Sequence, residues 1–313
     1  MLMAEVPLRE RVPSATLAVP AVLAVSGGAD SMVMASLLHE AHPEQVRAIA
    51  TFDHGTGTFA TEAAALVSRW ARERGIPIRI GHAAGLPATE AAWRAARWAF
   101  LRLVSLEFGA PVATAHTEDD QAETVFIRLL RGSGVRGLAG LRAPGPVLRP
   151  LLDVTRDTVR KYAAAAGIAW RDDPSNRELR HLRNRVRLEL LPRLEARDAG
   201  FRAWLLALGS TAAVWRADVR DAVDEHWAPV VQGESGVVRV PRNRARLPGE
   251  DEAALFWPEV AGRAGIALDW RGTARLAVFT TKRESGRWMP LSGGGVVRST
   301  RDCWTIGRTD VEG

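Results

Sequence analysis

The feature that most constrains this fold is an alternation beginning near Pro20, in which short apolar runs give way repeatedly to longer stretches of helical periodicity. The runs Ala21–Val25, Val46–Phe52, Ile76–Gly81 and Pro111–Ala115 have strand length. Between them, Asp30–Glu40, Ala60–Arg74, Ala88–Glu107 and Glu118–Leu130 are rich in Ala, Leu, Arg and Glu and read as amphipathic helices. Strands that take turns with helices form βαβ units, so the expected fold is α/β with a doubly wound parallel sheet. Gly132 to Gly145, followed by Pro146, is dense in turn residues and closes this unit. A strand-like Leu148–Leu152 and a helix Thr155–Ala166 extend it. Further on, a long helix is expected over Phe201–Trp227, then short strands at Gly236–Val240 and Gly295–Arg298. The expected organisation is a larger α/β domain over 1–198 and a smaller region, helical and then α+β, over 199–313.

In a doubly wound sheet, ligands bind beyond the carboxyl ends of strands, which directs attention to two short segments. Directly after Ala21–Val25 comes Ser26-Gly27-Gly28-Ala29-Asp30-Ser31, opening a helix. Glycines allow close backbone approach and helix N-terminal N–H groups attract anions, so this is a place for phosphate. It lacks the lysine of a Walker A loop and is no GxGxxG fingerprint. A tight turn capped by Ser26 or Asp30 accounts equally well for the residues alone. After Pro111–Ala115 stands His116-Thr117-Glu118-Asp119-Asp120-Gln121-Ala122-Glu123-Thr124. Asp119 and Glu123 are four apart and Asp120 and Glu123 three, so a helix brings these carboxylates to one face. Acids also favour a helix's first turn, and Thr117 with Asp120 can form a local cap.

Taken whole, SGGxDS between a strand and a helix resembles the signature of the PP-loop ATP pyrophosphatases, and the second cluster resembles the HHxxDDQxET motif of the tRNA(Ile)-lysidine synthetases within them. Thr117 stands where that family usually has a second histidine. The resemblance implies cleavage of ATP to AMP and pyrophosphate, with Ser26, Gly27, Gly28 and Ser31 around the phosphates and Asp30 helping to place Mg²⁺. It assigns Asp120 and Glu123 to gripping L-lysine, with His116 beside them. Lysine's amine has a reference pKa near 10.4, so only roughly one molecule in a thousand is nucleophilic at neutral pH, and acidic groups are needed to hold and deprotonate it. Glu90 to Trp98 resembles E-x-x-A-R-x-x-R-Y with tryptophans at the alanine and tyrosine places, and Arg97 would hold a carboxylate or phosphate. Asp53-His54-Gly55, followed by Thr56-Gly57, matches a rim element beside the nucleotide, and Arg131-Gly132-Ser133-Gly134 an RGSG phosphate loop or a plain helix cap.

The segment Asp172-Asp173-Pro174-Ser175-Asn176, then Arg183-Asn184-Arg185-Val186-Arg187 and Leu190-Leu191-Pro192, resembles the lysidine-synthetase pattern D-x-S-N, R-N-x-x-R, L-L-P. Arg183, Asn184 and Arg187 are the expected RNA contacts, although a solvated basic helix would read the same way. Charge supports an anionic partner here: Arg128–Arg193 holds fifteen Lys/Arg against six Asp/Glu, a net +9, while the remainder nets −3. The resemblance therefore implies ligation of L-lysine to the wobble cytidine of a tRNA(Ile) with a CAU anticodon.

A tRNA thiolase of the same superfamily would need cysteines for sulfur or an iron–sulfur cluster, and Cys303 stands alone. A non-catalytic RNA binder would have no use for Asp30, Asp120 and Glu123. Met1–Glu10 lacks an apolar core, and Leu17–Val25 is too short to span a bilayer and is broken by Pro20, so a soluble, cytoplasmic protein is expected. Oligomeric state stays open, a homodimer included.

Overall fold

The computed structural model describes residues 19–308 except 56, 84–88, 233–235, 246–248 and 283. The readings made at Met1–Glu10, Thr56 and Ala88, and the first residues of Leu17–Val25, lie outside the described residues. The chain divides into two compact units, Met1–Ala213 and Val214–Gly313.

The first unit is built as its alternation predicts. Strand β1 (Ala21–Ala24) leads through the glycine loop into α1 (Ala29–Ala41), β2 (Val46–Asp53), α2 (Thr58–Glu73), β3 (Ile78–His82), α3 (Glu90–Phe108), β4 (Val112–Thr114) and α4 (Glu118–Leu130). All pairings are parallel, in the order β3-β2-β1-β4. The chain thus runs outward from β1 to β3 and then returns to the other side of β1. This reversal opens a crevice between β1 and β4, at the ends from which the phosphate loop and the acidic cluster emerge. In register, Ala24 faces Thr114, so Ser26 and His116 each follow that pair by two residues.

Near-continuous apolar strands are what a sheet covered on both faces requires. Ala21, Leu23, Ile49 and Ala113 pack with Met32, Val33, Leu37 and Trp70 on one side. On the other, Val22, Ala48, Ala50 and Val112 meet Leu101 and Val104 of α3. Leu148–Leu152 differs from expectation, since only Leu148 bridges to Ala113. Pro150 has no N–H to continue a ladder, and the chain turns instead. Helix α5 (Val135–Leu138) precedes that bridge, and α6 (Arg156–Ala165), with Thr155 as N-cap, follows it. Helix α7 (Leu182–Arg185) passes through a π turn at Val186–Leu190 into α8 (Leu191–Arg197).

Helix α9 (Phe201–Ala222) continues as a π turn over Val223–Trp227, and the unit boundary falls within it. In the second unit β5 (Val230–Gln232), β6 (Val237–Pro241), β7 (Arg287–Leu291), β8 (Gly295–Ser299) and β9 (Cys303–Arg308) form an antiparallel sheet ordered β5-β6-β9-β8-β7. Helices α10 (Glu250–Arg263) and α11 (Trp270–Thr281) complete its core around the fully buried Trp227, Trp257 and Trp304. Trp257 and Trp304 meet edge to face, and the Trp257 indole N–H donates to Thr280 Oγ1 at 2.8 Å.

Candidate active site

The phosphate loop takes its shape from Gly27 and Ser31. Gly27 has φ +85°, and a Cβ there would lie 3.0 Å from both Cβ and O of Ala63. Ser31 then staples the loop: its hydroxyl donates to Gly28 O at 2.9 Å and accepts the Ser26 N–H at 3.2 Å. From outside, the Arg171 N–H donates to Gly27 O at 2.9 Å. Gly28 is the N-cap of α1 and brings no side-chain cap, so the first-turn amides are left for an anion.

Asp30 sits in that first turn. Its Oδ1 is buried without a hydrogen-bond partner, and its Oδ2 lies 3.8 Å from Nε of Arg156. Burial pushes its pKa up to about 6, against the opposing pull of Arg156. A buried carboxylate oxygen left without a donor suits a hard cation, which fits Mg²⁺ held by one carboxylate and phosphate oxygens. Among the described residues no cluster of three or more His, Cys, Asp or Glu could hold a metal, so a site made by protein groups alone is not built here.

The second cluster opens α4. Both the N–H and the hydroxyl of Thr117 donate to Asp120 Oδ2, at 2.9 and 3.0 Å, so the local cap that the sequence allowed is formed. The other oxygen, Oδ1, accepts from Nη2 of Arg156 at 3.0 Å and from Nη2 of Arg183 at 2.9 Å. Glu123, 1% exposed, accepts from Arg156 Nη1 on Oε1 at 3.1 Å and from Arg183 Nε on Oε2 at 2.7 Å. A buried carboxylate needs such counter-charge to remain ionised. Burial would raise the pKa of Asp120, but Arg156, Arg183 and the Thr117 amide outweigh it and hold the group below the usual carboxylate range. Asp119, beside them, accepts the backbone N–H of Arg156 at 2.7 Å and Nη1 of Arg202 at 2.8 Å.

His116 is half-buried and pushed down to about 4, chiefly by loss of water, so its ring is neutral at pH 7. Thr114 Oγ1 lies 2.9 Å from its Nδ1. Arg97, half-buried on α3, is close enough to lower the pKa of both His116 and His54. His54 itself, next to Phe52 and Trp93, has a buried Nδ1 without a partner.

Other expected site residues hold the backbone. Asp53 accepts from Gly55 N–H at 2.8 Å and Thr61 Oγ1 at 3.1 Å. Arg131-Gly132-Ser133-Gly134 forms a helix end, with Gly132 at φ +66° and Ser133 N–H donating to Arg128 O at 2.9 Å. Asn184 is buried, and its amide donates at 2.9 Å to both Ser175 O and Glu178 O, pinning the Asp173–Glu178 turn. Arg187 donates to Asn176 O and, at 3.2 Å, to Asn184 Oδ1.

Sequence reasoning brought together Asp30, Asp120 and Glu123 but missed the group at their centre, Arg156. One signal was available. Arg156 is the first residue of α6, where the helix dipole disfavours a cation, so an arginine there calls for a specific anionic partner.

A PP-loop domain model matches residues 12–194. The chain is 36% identical to the tRNA(Ile)-lysidine synthase of Salinispora tropica, with 81% of this chain and 84% of that one covered. With the enzyme of the same name from Streptomyces coelicolor the identity is 35%, over 89% of this chain and 87% of the other. The corresponding protein of Chromobacterium violaceum is 38% identical over 80% of this chain, which spans only 61% of that relative's length. In three dimensions the fold is similar to a U34-tRNA thiolase from Methanococcus maripaludis that carries a [4Fe-4S] cluster, with a TM-score of 0.54 at 20% identity, covering 66% of this chain and 76% of that one. Among the described residues, no helix is long and apolar enough to cross a membrane.

Proposed function

Because the chain belongs to the PP-loop family and, within it, to the tRNA(Ile)-lysidine synthases, we propose that it ligates L-lysine to C2 of the wobble cytidine of a tRNA(Ile) with a CAU anticodon, using ATP. The work is that of a carbon–nitrogen ligase acting in the cytoplasm. The observation that carries this reading is the convergence of Asp30, from the phosphate loop, with Asp120 and Glu123, from the acidic helix, on one guanidinium.

Two steps fit that arrangement. The cytosine C2 oxygen attacks the α-phosphate of ATP and pyrophosphate leaves, held by the amides after Gly28. Phosphoryl transfer asks for position and counter-charge rather than covalent help. Mg²⁺, with Asp30 as its protein ligand, would supply charge neutralisation for the phosphates. In the second step lysine's amine attacks C2, the C2–O bond breaks, AMP departs with that oxygen, and the nitrogen's proton passes to the carboxylate side of the site. Asp120, kept ionised, suits gripping an ammonium. His116, neutral at pH 7, can offer or accept a hydrogen bond but brings no charge.

Sulfur transfer is the competing chemistry for this fold. The single cysteine, Cys303, is buried in β9 of the second unit and cannot alone ligate a cluster or relay sulfur. Incubation with ATP, Mg²⁺, labelled lysine and a tRNA(Ile) transcript bearing CAU tests the proposal. Label in the RNA is the expected result; a folded protein that transfers none would overturn it.

A further inference from the structure

We infer that Arg156 is a positioning residue that holds Asp120 and Glu123 in the orientation the amino-acid substrate requires, an inference that rests on the lysine-ligation reading. Four features support it. Arg156 contacts both carboxylates through separate nitrogens, at 3.0 and 3.1 Å, as a planar fork does and an ammonium cannot. Its own backbone is fixed, because Asp119 accepts its N–H at 2.7 Å. It is 18% exposed, whereas Arg183, which touches the same two acids, is 41% exposed. Arg156 is therefore the lasting counter-charge and Arg183 the one that solvent or substrate reaches. Finally, its place at the N-terminus of α6 is electrostatically adverse for a cation, and Asp120 and Glu123, with Asp30 further off, offset it.

The distances also rank its effects. Contact with Asp120 and Glu123 is by hydrogen bonds, whereas the Nε to Asp30 separation is 3.8 Å. Loss of Arg156 should accordingly disturb lysine more than ATP. A second consequence concerns charge: Arg156 and Arg183 together balance Asp120 and Glu123, so orientation of the acids, rather than excess negative charge, prepares them for a third cation.

Steady-state lysine transfer to the tRNA transcript tests this with Arg156→Gln, Arg156→Lys and, on the exposed side of α6, Lys161→Gln. In Arg156→Gln the KM for lysine is expected to rise about tenfold or more, as for a charged hydrogen bond lost, with a smaller change in KM for ATP. Arg156→Lys should fall between wild type and Gln, because charge returns without the fork, and it supplies the answer if Arg156→Gln does not fold. Lys161→Gln should stay within about twofold of wild type on general surface grounds. A lysine KM within twofold of wild type in a folded Arg156 variant, or equal rises for lysine and ATP, overturns the inference alone. No lysine transfer by the wild-type protein overturns the underlying reading, and this inference with it.

Discussion

Arg156 Nη1 lies 3.1 Å from Glu123 Oε1, where Glu123 is almost wholly shut from water. An ionised pair in such a place stands or falls together, since removing one partner strands the other. Glu123→Ala should therefore lower stability by about 3 to 5 kcal/mol. Glu123→Gln, which keeps shape and one acceptor, should lose less. Chemical denaturation of both variants checks the ranking, and equal stability of Glu123→Ala and wild type would refute it.

The two halves of the site should separate by mutation. Asp30→Ala is expected to abolish ATP–pyrophosphate exchange in the presence of tRNA. Glu123→Gln should retain that exchange while its KM for lysine rises, by about tenfold for one lost charged contact. Equal loss of ATP consumption in the two would contradict the division.

Acid should weaken nucleotide use near one particular pH. Asp30 titrates at about 6, above its ordinary 3.8, so the folded protein favours its protonated form. The stability this contributes is complete below 3.8 and disappears as pH rises through about 6. Mg²⁺ needs the opposite form, so Mg²⁺-dependent ATP affinity should fall as pH drops through about 6. His116, held near 4, stays neutral across that range and does not confuse the profile. Calorimetric titration of Mg·ATP from pH 7.5 to 5 on wild type and Asp30→Asn checks this, with the step absent from Asp30→Asn.

Gly27→Ala should fail twice. A left-handed φ of +85° disfavours any side chain, by roughly 1 to 2 kcal/mol, and the new methyl would meet the Ala63 carbonyl. Lower melting temperature with loss of ATP binding is expected. Gly132→Ala also has positive φ but no atom within 4 Å of the added carbon, so it should show the milder effect alone.

Asn184→Ala should loosen the Asp173–Glu178 turn, because two backbone carbonyls lose their donor; about 1 to 3 kcal/mol is expected. Faster limited proteolysis between residues 173 and 178 is the readout, and an unchanged cleavage rate would argue that the amide is dispensable.

The nucleotide half was readable because its pattern is local. Val22, Leu23, Ala48 and Ile49 are buried on a two-faced parallel sheet, and such strands announce themselves as apolar runs. Motif position also followed from topology, since loops after β1 and β4 must adjoin once β4 returns beside β1. What stayed hidden depends on long-range pairing. Nothing local tells that Arg156 turns toward acids 33 and 36 residues earlier, or that Arg183 reaches 60 and 63 back to the same acids rather than standing free. Asn184 reads as a polar surface residue until its two carbonyl partners are seen. In the second unit α10, α11 and the pairing of β5 through β9 follow no periodicity as plain as that of the first, and Trp227, Trp257 and Trp304 come together only by tertiary packing.

The equal two-residue steps from Ala24 to Ser26 and from Thr114 to His116 start both loops from one rim. Neighbouring strands stand roughly 4.8 Å apart whatever their sequence, so the two loops leave from adjoining anchors and diverge only beyond them. Residues added to either loop would therefore change what stands above the rim without moving the pair of strand ends beneath it.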